Sequence, residues 1–89
     1  MVVTFDMTIS REEFLRVLPA AAGCDFQEEA GGFRSADPGR PWSLRLTALP
    51  PLALGSLAMA RQRVELELPA ASAEEFLARF WLHFRRGGG

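Results

Sequence analysis

Residues 42–68 read WSLRLTALPPLALGSLAMARQRVELEL, and the pairing of the two halves of this stretch decides the fold. Trp42, Leu44 and Leu46 alternate with Ser43, Arg45 and Thr47. Val64, Leu66 and Leu68 alternate in the same way with Arg63, Glu65 and Glu67. A period of two is the pattern of a half-buried strand. Gly55-Ser56, between two short apolar runs, suits a two-residue type II′ hairpin turn. Such a turn pairs residues whose numbers sum to 111, which would set inward Leu46 opposite outward Glu65. A slip of one residue reverses every side chain, so one residue has to be absorbed. Pro50-Pro51 is the expected bulge. On the far side of it the sum is even, and Arg45 is expected to pair with Glu65 or Glu67 on the face away from Trp42.

Upstream, Val3, Phe5, Met7 and Ile9 alternate with Thr4, Asp6 and Thr8, a second half-buried strand. Ser10-Arg11-Glu12-Glu13 follows as a capping box, with Ile9 and Phe14 spaced as a hydrophobic staple. Phe14, Leu15, Val17, Leu18 and Ala21 form one helical stripe. Pro19 is expected to end or kink this helix, and Gly23 to cap it. Residues 24–29 and 33–36 read as short strands joined at Gly31-Gly32, and Asp37-Pro38-Gly39 is a strong turn signal. Downstream, Ser72-Ala73-Glu74-Glu75 repeats the capping-box pattern after Pro69. It opens a helix whose residues Ala73, Phe76, Leu77, Phe80, Trp81 and Phe84 share one apolar face. The segments starting at Ser10 and Ser72 match in five of six residues, which reads as two uses of one capping solution rather than a duplication.

The expected architecture is α+β in the order β-α-β-β-β-β-α, an antiparallel sheet with two helices packed on one face. This element order resembles the TBP-like or helix-grip arrangement, a group that holds a DNA-bending half-domain and cavity-forming binders of lipids or hormones. The resemblance covers most of the chain and rests on element order alone, so it assigns no residue a role. The 89 residues suit one domain, 1–89, with residues 87–89 as a flexible tail.

Composition narrows the function classes. Hydrophobic residues make up 48% of the chain, which argues for a packed core rather than disorder. A net charge of −1 and a pI near 5.8 give no pull toward nucleic acid or an anionic membrane. The single Cys24 rules out an internal disulfide and suits a reducing, cytoplasmic setting. All ten basic residues are arginine, so lysine-based Schiff-base and P-loop chemistry has no residue to use.

The chemistry-bearing residues have plain structural readings. His83 flanks the apolar stripe of the last helix with no second histidine or nucleophile motif to complete a site. Cys24 has no electropositive CxxC context. Glu12-Glu13 and Glu74-Glu75 fall in first helical turns, where capping and the helix dipole account for them. No enzyme, cofactor or metal site is expected. The unusual feature is the stretch between Arg45 and Arg61, which carries no charge and presents Leu52, Leu54, Leu57 and Met59 on a connection. Together with Leu82 these residues form the expected interaction surface of an assembly module, working as a homodimer or with a protein partner, and without nucleic acid or membrane. The alternative is a small apolar-ligand module with a pocket between sheet and helices lined by Phe5, Trp42, Phe76, Phe80 and His83.

Overall fold

The computed structural model of the protein describes residues 1–87. Its elements are β1 (Val2–Met7), α1 (Arg11–Ala22), β2 (Phe26–Glu29), β3 (Gly32–Ser35), β4 (Ser43–Leu54), β5 (Leu57–Glu67) and α2 (Ala70–Gly87). The strands form one antiparallel sheet in the order β1-β5-β4-β3-β2. β1 and β2 are opposite edges, so α1 crosses the whole sheet between them. α2 runs back beside it: Phe14 at the start of α1 stacks on Phe84 near the end of α2, at 4.8 Å between ring centres. The element order is the one read from the sequence.

Alternation sets what is buried. Leu44, Val64, Leu66, Phe33 and Trp42 point from the sheet into the core and meet Phe14, Leu18, Phe80 and Phe84 from the helices. Phe80 is fully buried, and its ring approaches five others at 4.5 Å (Phe84), 5.4 Å (Trp81), 5.6 Å (Phe5), 6.2 Å (Phe76) and 6.3 Å (Phe14). Among the described residues, no helix lies against the other face of the sheet.

The helix ends combine expected and unexpected features. Ser10 caps α1, its Oγ accepting from the Glu13 N–H at 3.1 Å. The return half of the capping box is absent, because Arg16 takes the Glu13 carboxylate. Gly23 closes α1 with φ of 81°, its N–H bonded to the Pro19 carbonyl at 2.9 Å. Pro19 therefore neither ends nor interrupts α1. One lost hydrogen bond is outweighed in the last turn by the burial of Leu18, Ala21 and Ala22. α1 has no basic residue in its last turn; Arg79 of α2 supplies the cation instead, donating from Nε to the Ala20 carbonyl at 3.3 Å.

Ser72 is not a cap. α2 starts at Ala70, directly after Pro69, so Ser72 lies inside the first turn and its hydroxyl turns back to the Pro69 carbonyl at 3.4 Å. Two alanines with the best helix propensity follow a residue whose φ is already helical, and they start the helix three positions early. α2 continues to Gly87, and the rest of the expected tail, Gly88 and Gly89, lies outside the described residues.

Candidate functional site

β4 and β5, at 12 and 11 residues, are much longer than their outer neighbours β3 and β1, at 4 and 6, and the excess length makes the site. β1 pairs with β5 only as far as Met7 opposite Gln62, and β3 pairs with β4 only at Ser43 and Leu44. Past these points β4 and β5 continue as a two-stranded ribbon, an arm with no strand on either side among the described residues. Every residue from 50 to 60 is exposed. The tip turns at Gly55, whose φ of 62° together with the absence of positive φ at Ser56 fits a type II′ turn.

The expected bulge is present. Leu49 pairs with Arg61 and Leu52 with Met59, so Pro50 and Pro51 together oppose Ala60. Below the bulge Leu46 faces Val64 and Arg45 faces Glu65. The Arg45 side chain goes elsewhere than expected: its Nε donates to the Gly31 carbonyl in the β2–β3 turn at 3.2 Å. The carboxylate that gathers arginines on this face is Asp6, reached by Arg63 at 3.0 Å and Arg61 at 3.8 Å.

Alternation along β5 fixes the faces of the arm. Val64 and Leu66 are buried against the helices, so Arg63, Arg61, Met59 and Leu57 lie on the helix-free face. β4 changes parity at the bulge, which brings Leu52 and Leu54 to that same face, opposite Met59 and Leu57. The helix-side face of the arm carries Ala53, Ala58 and Ala60. The arm thus has one bulky apolar face and one small one. Leu52, Leu54, Leu57 and Met59 are 40%, 55%, 67% and 42% exposed. Leu82 is also exposed, but on α2, in the helical layer, and the structure does not bring it to the bulky face.

The residues expected around a pocket sit differently. Phe5, Trp42, Phe76 and Phe80 pack ring against ring, Trp42 to Phe76 at 6.4 Å and Phe76 to Phe80 at 6.2 Å. Phe76 also walls a cleft of about 320 Å³ with Arg40, Pro41, Ser72 and Arg79. His83 is half-buried on α2. The Trp42 Nε1 is buried with no hydrogen-bond partner among the described residues. Cys24 is a half-buried free thiol, 3.3 Å from the Ser35 hydroxyl.

Sequence reasoning found the apolar arm but not the face it presents. The signal for the face was in the register sum: once the extra residue is placed in β4, parity puts all four large side chains together. Among the described residues no group of three or more His, Cys, Asp or Glu is placed to hold a metal, and no helix is long and apolar enough to cross a membrane. No family model matches the chain, and no curated protein is similar to it in sequence.

Proposed function

We propose that this protein is a non-catalytic assembly module of the cytoplasm that self-associates through the β4–β5 arm. The observation that carries the reading is the arm itself. Residues 46–60 hold no charge, and the part of the ribbon from 50 to 60 stands outside the core with its large side chains in water. A two-stranded ribbon alone is marginal in water, and contiguous exposed apolar surface marks association sites. The arginines of the helix-free face support the exclusion of nucleic acid, since Asp6 and Glu29 already pair with three of them.

The test removes the arm. Leu49 and Arg61 are directly opposite, so Asn-Gly in place of residues 50–60 closes a two-residue hairpin on them. The shortened protein is expected to remain folded and to be monomeric where the full chain is a dimer by native mass spectrometry. A full chain that stays monomeric up to millimolar concentration ends this reading.

A second reading rests on the cleft walled by Phe76. Copurified ligand, or a rise in melting temperature with an apolar carboxylate, would favour a binding module instead.

A further inference from the structure

The arm has two faces and two edges, and they are not equivalent. Resting on the self-association reading above, we infer that two copies meet through their helix-free faces, arm upon arm, with the Leu52, Leu54, Leu57 and Met59 faces packed together about a two-fold axis. The bulge is central to this. Without the parity change at Pro50-Pro51, β4 and β5 would present their large side chains to opposite sides of the ribbon; with it, all four share one side.

Edge-to-edge pairing is the competing geometry. The outer edge of β4 carries two successive prolines, which have no N–H to donate. The outer edge of β5 is free from Leu57 to Arg61 and has no proline. Joining two β5 edges about a two-fold axis normal to the sheet would set both bulky faces side by side and leave all eight large side chains in solvent. Face-to-face packing removes all eight from water. The partner that fits is a second copy of this chain. The centre of the patch has no charge to repel itself, and its rim carries both signs, Arg61 and Arg63 with Asp6, Glu65 and Glu67. The opposite face, with Ala53, Ala58 and Ala60, offers little apolar area.

Glutamate on each face separates the geometries. Leu54→Glu with Leu57→Glu is expected to reduce the species in sedimentation equilibrium from dimer to monomer. Ala53→Glu with Ala58→Glu is expected to leave the dimer mass unchanged, and circular dichroism should match wild type for both. If the leucine variant remains dimeric, face packing is wrong while self-association stands. If the alanine variant alone dissociates, the opposite face is the interface. A wild type that is monomeric at millimolar concentration removes both inferences. Crosslinking keeps the test decisive should a glutamate variant unfold. In a Cys24→Ser background, Leu57→Cys should be joined by a short bismaleimide across sheets packed about 10 Å apart, and Ala58→Cys should not. Equal yields, or the reverse, would overturn the face assignment.

Discussion

Ser10 and Ser72 open nearly the same six-residue segment and perform different tasks, because what precedes them differs. Ile9 is buried and Ser10 is extended, so that it caps α1; Pro69 starts α2 early and leaves Ser72 within a turn. Ser10→Ala is expected to cost about 0.5–2 kcal/mol. Ser72→Ala should stay within about 0.5 kcal/mol, since alanine is the better helix former and no cap is lost. Urea midpoints of the two variants measure this, and equal losses would contradict the assignment. Asp6 shows a charge effect at the same scale. The hydrogen bond from Arg63 holds its carboxyl below the usual carboxylate range; partial burial opposes this, and the charges of Arg63 and Arg61 reinforce it. A depressed folded-state value means that the contribution to stability is present above the unfolded value of 3.8 and is lost as pH falls through the lower folded value. The Asp6 carboxyl followed by NMR should titrate below 3.8, and in Arg63→Ala it should move up. No movement in that variant would show that Arg63 does not hold it. Arg45 marks the limit of legibility at this scale. Alternation places its backbone opposite Glu65, but a long guanidinium takes the nearest open acceptor, and that is the Gly31 carbonyl.

Among the elements, the β4–β5 hairpin was the most legible in the sequence, because a two-residue turn and two alternating runs disagree in parity by one residue, which leaves Glu65 or Glu67 opposite Arg45; the structure selects Glu65. The conflict between them located the bulge to a residue pair. The start of α2 and the passage of α1 through Pro19 were not legible, since both depend on how much burial the neighbouring turn gains, and local signals do not report that. The bulge yields its own prediction. Pro50 and Pro51 share one partner, Ala60, so deleting Pro50 gives a regular ladder in which Leu49 still faces Arg61 and Leu52 still faces Met59. The variant is expected to keep its melting temperature within a few degrees and to retain the cross-strand contacts of Leu44 with Leu66 and of Arg45 with Glu65. New contacts shifted by one residue, seen as backbone Hα–Hα effects in NMR, would mean that the extra residue lies elsewhere in β4.

For the whole molecule the arm is visible as shape. The radius of gyration is 13.2 Å and the longest extent 45 Å, against about 12 Å for a compact chain of this length. That an apolar arm exists could be read from residues 46–60; that it stands free could not, because a sequence does not say whether a hairpin folds back. The faces explain why it does not: folding over the helices would present them with alanines and leave the leucines in water. The four large side chains are already about half exposed, so burying them recovers about 1–2 kcal/mol each. Eight of them across a two-fold axis give roughly 8–16 kcal/mol, offset by at least ~4 kcal/mol for lost translational and rotational freedom. The surplus, about 4–12 kcal/mol, corresponds to dissociation constants from about millimolar to about nanomolar, a concentration-dependent dimer. Its response to solution conditions identifies the contact. An uncharged apolar interface is insensitive to sodium chloride, is strengthened by sulfate, and weakens on cooling as hydrophobic stabilisation fades. The dimer fraction in sedimentation is therefore expected to hold constant from low to high sodium chloride and to fall toward 0 °C. If instead the dimer dissociates as sodium chloride rises, the copies are held by the charged root around Asp6, Arg61 and Arg63, and the arm is not the interface.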